Sequence, residues 1–147
     1  STQGYSSAAS DVYKRQDQTR TIDHASGWYD QGAGDIKSLH NYFRPLKVKP
    51  EERAFAFSEY GGYTYPVQEH LYSEKSFGYR TYQNQAQYQK AMDALAEKIR
   101  ELTEQGLAAA VYTQLTDVEE ESNGILTYDR KVRKWEPQEA KDFCPKE

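Results

Sequence analysis

The chain has 147 residues, of which 29% are charged and 37% are hydrophobic, and its formal net charge is −4. This length suits one domain or part of one. The mixed charges offer no basic surface for nucleic acid or an anionic membrane, and no apolar run approaches the roughly 20 residues of a transmembrane helix. The lone Cys144 excludes an internal disulfide, and no Cys/His spacing indicates a metal site, so we expect no cofactor.

The two ends of the chain differ in composition from its middle. Residues 1–16 are small and polar and lack periodicity, which predicts a disordered or foreign N-terminal extension. Residues 136–147 form a second polar tail. The sequence therefore predicts one folded region over residues 17–135.

Four candidate strands are predicted at residues 21–26, 36–42, within 53–63 and at 107–114, and the third, a short apolar run bounded by turn residues, is typical of a buried strand. The third predicted strand carries Glu59 at its C-terminal tip and ends at Gly61 and Gly62. A carboxylate at the end of a buried parallel strand is typical of the catalytic face of an α/β barrel.

One helix is predicted between the third and fourth strands, over residues 84–105. Its apolar positions recur at spacings of three and four and form one stripe, made of Tyr88, Met92, Leu95, Ile99 and Leu102. Gly106 follows at the position of a C-cap glycine. Strand, helix and strand in this order predict a parallel crossover, and the small side chains of residues 108–110 predict a strand that is crowded on both faces.

Several segments in order resemble the catalytic barrel of the family 2 glycoside hydrolases, the β-galactosidase and β-glucuronidase group. They are Asp17–Arg20, Asp23–Trp28, Gly34–Tyr42, Ser58–Gly62, Ala110–Glu119 and Asn123–Arg130. The resemblance covers residues 17–135. It implies a partial (β/α)8 barrel in which the four predicted strands are barrel strands five to eight.

The resemblance also implies a site for a β-glycoside substrate. Glu59 matches the catalytic nucleophile, and Tyr42 is expected to hold it by a hydrogen bond. The implied substrate-binding residues are His24, Trp28, His40, Asn41, Tyr42, Tyr60, Gln114 and Asp117. Whether His40 or Asn41 points inward depends on register, because strand side chains alternate. Better-known members of the family carry an aromatic residue where strand eight meets the sugar, whereas this strand reads Tyr112–Gln114. The identity of the sugar therefore stays undetermined.

A retaining glycosidase needs a second carboxyl group as acid/base. In this family that Glu closes strand four, upstream of the Asp17–Arg20 turn, and no carboxylate in this sequence follows the expected Asn-Glu pattern. We therefore expect the missing N-terminal half of the barrel to be a partner of this region. We also expect no turnover from this chain alone.

Two other functions remain open from the sequence. A non-catalytic carbohydrate-binding or pseudoenzyme module would keep the aromatic and polar site but lack the acid/base. An unrelated α/β domain would need another chemistry, and no phosphate-binding loop, Ser nucleophile elbow or metal-ligand spacing supports one.

Overall fold

The computed structural model describes residues 10–24, 27–49 and 51–137. The predictions for residues 1–9, for the end of the first strand at 25–26 and for the tail from 138, including Cys144, lie outside the described residues.

The described chain contains two helices and five strands. Helix α1 covers residues 10–16, and the other elements are β1 Ile36–Asn41, β2 Ala54–Gly61, β3 Tyr63–Thr64, β4 Arg80–Thr81, α2 Gln85–Glu104 and β5 Leu107–Thr113. The second, third and fourth predicted strands and the long helix are confirmed as β1, β2, β5 and α2. The pair β3 and β4 was not predicted.

The predicted partial (β/α)8 barrel is wrong. The strands form a three-stranded sheet in the order β1-β2-β5 and a separate two-stranded sheet of β3 and β4. Residues 21–24 are not a strand, because their backbone bonds to the loop before β1 instead of to a neighbouring strand. Ile22 N donates to Asp35 Oδ2 at 2.9 Å, and Asp35 N donates to Ile22 O at 2.9 Å.

The predicted disorder of the N-terminal extension is also wrong for residues 10–16, which form α1. Lys14 on this helix contacts Asp35 Oδ2 at 2.9 Å, and its Nζ also donates to Arg20 O at 3.2 Å. The polar side chain of Lys14 thus attaches α1 to the loop before β1.

The centre of the three-stranded sheet is β2. Its residues Phe55, Ala56 and Phe57 are all buried, as a strand between two neighbours requires, and the rings of Phe55 and Phe57 meet edge-on at 5.2 Å. Strand β5 lies at the edge: Ala108 and Ala109 are exposed, and Val111 is 57% exposed. The prediction that this strand is crowded on both faces is therefore wrong.

The described chain divides into two compact units. The first contains the residues up to Gly61 together with Lys98–Tyr112, and the second contains Gly62–Glu97 together with the residues from Thr113 onward. In the second unit the fully buried Tyr88 of α2 stacks on Tyr65 at 5.6 Å and meets Tyr82 edge-on at 6.1 Å. The apolar stripe predicted for α2 thus supplies part of this core.

No helix in the described part of the chain combines the length and the apolar character that crossing a membrane requires.

Candidate functional site

An irregular register between β1 and β2 positions the central carboxylate. The strands pair in parallel, with Leu39 opposite Phe57 but His40 opposite Glu59, so Ser58 is an additional residue in β2. Regular pairing would place His40 opposite Ser58. The irregularity instead brings Glu59 beside His40. The hydroxyl of Ser58 hydrogen-bonds to that of the fully buried Ser38 at 2.6 Å, which fixes the bulge to β1.

One oxygen of Glu59 is held by two neighbours. The hydroxyl of Tyr42 donates to Glu59 Oε2 at 2.7 Å, and Nδ1 of His40 lies 3.2 Å from the same oxygen. Within the described residues Oε1 has no hydrogen-bond partner, and the Glu59 side chain is 43% exposed. The carboxylate is therefore oriented by one oxygen and accessible through the other.

Trp28 lies next to the residues that hold Glu59. His40 N donates to Gly27 O at 2.7 Å, so the turn before Trp28 is tied to the end of β1. The indole ring is 5.7 Å from the ring of Tyr42 and 6.3 Å from that of His40, and it stacks on Phe43 at 6.0 Å. Trp28 and Phe43 are 48% and 62% exposed, so they form an open aromatic surface.

A cavity of about 390 Å³ lies beside this cluster in the first unit. The lining residues are Trp28, Tyr29, Leu39, His40, Asn41, Phe43, Arg44, Lys47 and Phe57. His40 belongs both to the cavity wall and to the contacts of Glu59. The wall combines aromatic rings with a few polar and cationic groups, which is the composition of many small-molecule sites.

The other predicted site residues of the first unit lie at or near this cavity or in the core. Asn41 Oδ1 accepts a hydrogen bond from Arg44 N at 3.0 Å, which shapes the turn after β1. Tyr60 is 8% exposed and meets Tyr112 edge-on at 5.8 Å, and burial raises the pKa of its hydroxyl to about 12. His24 is 8% exposed and lies against Gly34.

Gln114 and Asp117 belong to the second unit, where each has close polar partners. Gln114 Nε2 donates to Asn123 Oδ1 at 2.8 Å. Asp117 accepts hydrogen bonds from Gly124 N at 2.8 Å and from Lys134 Nζ at 2.7 Å. The structure thus joins Trp28, His40 and Tyr42 to Glu59, whereas Gln114 and Asp117 are parts of a separate polar cluster.

The ion pair of Asp117 with Lys134 is buried. Asp117 is 4% exposed and Lys134 is fully buried. Burial raises the pKa of Asp117 and lowers the pKa of Lys134, because both charged forms lose hydration, and the pairing opposes both shifts. Lys134 Nζ also donates to the carbonyls of Ser122 at 2.9 Å and of Tyr65 at 3.2 Å, so this cluster ties loops together.

Other carboxylates of the first unit are engaged in ion pairs of their own. Arg53 contacts Asp30 through both terminal nitrogens, and these hydrogen bonds lower the pKa of Asp30. Asp35 pairs with Lys14, and Glu51 pairs with Lys37. Each of these three carboxylates thus has a cation partner, and none is among the contacts of Glu59 in the described residues.

The described residues contain no group of three or more His, Cys, Asp or Glu side chains arranged to hold a metal ion. The chemistry that the first unit offers is therefore that of one oriented carboxylate, a neighbouring imidazole and phenol, and an aromatic surface.

Sequence reasoning missed Phe43, Arg44 and Lys47 as cavity residues. They follow β1 in a Pro-bearing stretch that reads as a simple connection. This stretch carries one aromatic residue and basic residues at positions 44, 47 and 49, and no periodicity in it indicates a cavity wall.

A comparison of the chain with protein-family models finds no match, and a comparison with curated proteins finds none either.

Proposed function

We propose that Glu59 is the nucleophile of a retaining β-glycosidase. The observation that carries the proposal is the asymmetric environment of its carboxylate. Tyr42 and His40 hold Oε2, and Oε1 is left accessible on a side chain that is 43% exposed. A nucleophilic carboxylate needs a fixed orientation and one oxygen that can reach the anomeric carbon.

The reaction begins with attack by Glu59 Oε1 on the anomeric carbon of a β-glycoside. A bond forms between this oxygen and the sugar, and the bond to the leaving oxygen breaks with its electron pair. Water later attacks the same carbon and loses one proton to solvent, and the bond between the sugar and Glu59 breaks with its electron pair returning to Oε1. Tyr42 and His40 keep the carboxylate in place through both steps, and Trp28 supplies an apolar ring for a sugar face.

An alkoxide leaving group needs a proton from a second carboxyl group, about 5 to 5.5 Å from the nucleophile in retaining enzymes. Asp30, Asp35 and Glu51 are poor proton donors, because hydrogen bonds from Arg53, Lys14 and Lys37 lower the pKa of each carboxyl. We therefore expect the chain to react with a substrate whose leaving group needs no proton, and not to turn over glycosides with poor leaving groups.

A second candidate function is non-catalytic carbohydrate binding. The exposed, stacked pair Trp28 and Phe43 favours it, because aromatic surfaces bind sugar rings without any carboxylate chemistry. The two functions differ in one measurable property, which is whether a covalent bond forms at Glu59.

The decisive experiment is covalent trapping with activated 2-fluoro β-glycosides of glucose, galactose and mannose that release dinitrophenolate. This leaving group departs as a stable anion, so trapping needs the nucleophile but no acid. Intact-mass spectrometry is expected to show one added fluoroglycosyl group, and peptide mapping is expected to place it on Glu59.

Glu59→Gln keeps the size of the side chain and removes the nucleophile, so labelling should disappear. Glu52→Gln is the matched control, since Glu52 is an exposed carboxylate shortly before β2. Labelling of another carboxyl group would overturn the assignment of Glu59. Saturable sugar binding with no label on any residue would favour the binding function.

A further inference from the structure

Two cations line the cavity beside Glu59 without a carboxylate partner in the described part of the chain. They are Arg44 and Lys47, both exposed. Other cations of the first unit are neutralised: Lys14 pairs with Asp35, Lys37 with Glu51, and Arg53 with Asp30.

The cavity wall contains no acidic residue, so the charges of Arg44 and Lys47 are not balanced within it. A concave wall with one sign of charge concentrates ligands of the opposite sign. Guanidinium and ammonium groups bind carboxylate and sulfate oxygens by charge-assisted hydrogen bonds.

The turn that carries Arg44 is held in place. Asn41 Oδ1 accepts a hydrogen bond from Arg44 N at 3.0 Å, and Pro45 restricts the backbone of Arg44 to extended conformations. The aromatic rings of Trp28 and Phe43 form part of the same wall. A ligand for this cavity therefore combines a ring face with a negative charge.

We propose that Arg44 and Lys47 select a sugar with an anionic substituent, either a carboxylate or a sulfate ester. This inference rests on the proposed function, because it names the substrate class of that same site. Arg44 and Lys47 are specificity residues, and neither touches the Glu59 carboxylate in the described structure.

The test measures binding of three ligands that differ only in the group at carbon six: methyl β-glucoside, methyl β-glucuronide and methyl β-glucoside 6-sulfate. Titration of tryptophan fluorescence on the 147-residue chain reports binding near Trp28. At low salt we expect at least one anionic ligand to bind about threefold or more tightly than the neutral one, the range of one exposed ion pair. Added salt should reduce this preference.

The double variant Arg44→Gln with Lys47→Gln should bind the anionic ligands no more tightly than methyl β-glucoside. Lys49→Gln is the matched control, because it removes an exposed charge two residues away that does not line the cavity. Tighter binding of only the glucuronide or only the sulfate identifies the anion, and either result supports the inference.

Equal binding of all three ligands, or a preference that survives in the double variant, would overturn the inference. The absence of any binding would overturn it as well. Neither result decides the role of Glu59, because covalent trapping there is read independently by mass spectrometry.

Discussion

At the scale of single residues, the site depends on how the two oxygens of Glu59 differ. Tyr42 is 7% exposed, and its ring lies 5.7 Å from that of Trp28 while its hydroxyl reaches Glu59 Oε2. One side chain thus packs the aromatic surface and orients the carboxylate. These two contributions can be separated by removing the hydroxyl alone.

Tyr42→Phe is expected to slow covalent labelling of Glu59 by about tenfold to a hundredfold. The reason is the loss of a hydrogen bond to a charged group, worth roughly 1.5 to 3 kcal/mol. The measurement is the rate of labelling over a range of probe concentrations, which separates the labelling step from binding. We expect the rate constant to fall and the apparent binding constant to change little, since the ring remains against Trp28.

Thermal melting provides the control for Tyr42→Phe, because a general loss of structure would lower the melting temperature and weaken binding together. An unchanged labelling rate would contradict the orienting role of the hydroxyl.

At the scale of elements, two glycines mark places where a side chain is excluded for different reasons. Gly106 follows α2 with φ of +100° and has no heavy atom near the position of an added Cβ. Gly78 precedes β4, and an added Cβ there would lie 1.5 Å from Thr64 Oγ1 in β3. The first position is limited by backbone conformation and the second by space.

Gly106→Ala should therefore lower the free energy of unfolding by about 1 kcal/mol, the cost of a left-handed conformation for a residue with a Cβ. Gly78→Ala should cost about 3 kcal/mol or more, because Thr64 is 1% exposed and has little room to move. Urea unfolding of both variants measures the difference. Thr64→Ala added to Gly78→Ala should recover part of the loss, and a failure to recover would contradict the steric explanation.

At the scale of the whole molecule, stability should depend on pH through several buried or paired acids with opposite effects. Hydrogen bonds from Arg53 lower the pKa of Asp30, and the hydrogen bond with His70 lowers the pKa of Asp129. Burial raises the pKa of Asp117. The ordinary pKa of each of these carboxyls is 3.8, so their contributions to the free energy of unfolding change around pH 3.8.

As pH falls below about 4, the unfolded chain takes up protons on Asp30 and Asp129 before the folded chain does, so their contributions to stability are lost. Asp117 acts in the opposite sense: above 3.8 the folded chain protonates it first, which favours folding as pH falls toward that value. We expect the melting temperature to drop steeply only below about pH 4. Circular dichroism melts from pH 7 to pH 3 measure this.

Asp30→Asn isolates one contribution to this profile. The variant should be less stable than the parent at pH 7, because it loses the charge paired with Arg53, and the difference should shrink by pH 3. A difference that stays constant across this range would contradict the assignment.

The sequence predicted much of the local structure and less of its arrangement. Short segments between turn residues located the strands β1, β2 and β5. Apolar residues at spacings of three and four located the helix α2, because only one face of a helix is buried. The run at residues 21–24 has the same appearance but hydrogen-bonds to the loop around Asp35, which no periodicity reveals. The barrel prediction counted this run as a strand and was wrong.

The site could be predicted only in part for a related reason. The resemblance placed His40 and Tyr42 at the tip of the neighbouring strand, and the predicted hydrogen bond from Tyr42 to Glu59 is confirmed. His40 was expected to bind the sugar, and the structure also places it 3.2 Å from Glu59 Oε2. The choice between His40 and Asn41 depends on a pairing irregularity that the sequence does not display. Lys134 was missed as a buried residue because it ends a basic run, Lys131–Lys134, that looks exposed.

The extra residue in β2 has a consequence for how this chain tolerates change. Substitution of Ser58 would remove a hydroxyl, whereas deletion of Ser58 would remove the bulge, so that Glu59 directly follows Phe57 and still stands opposite His40. Neighbouring residues of a regular strand point to opposite faces of the sheet, so the Glu59 side chain would then point away from the face of Phe57. The direction of the Glu59 side chain thus depends on the number of residues between Phe57 and Glu59 as well as on their identities.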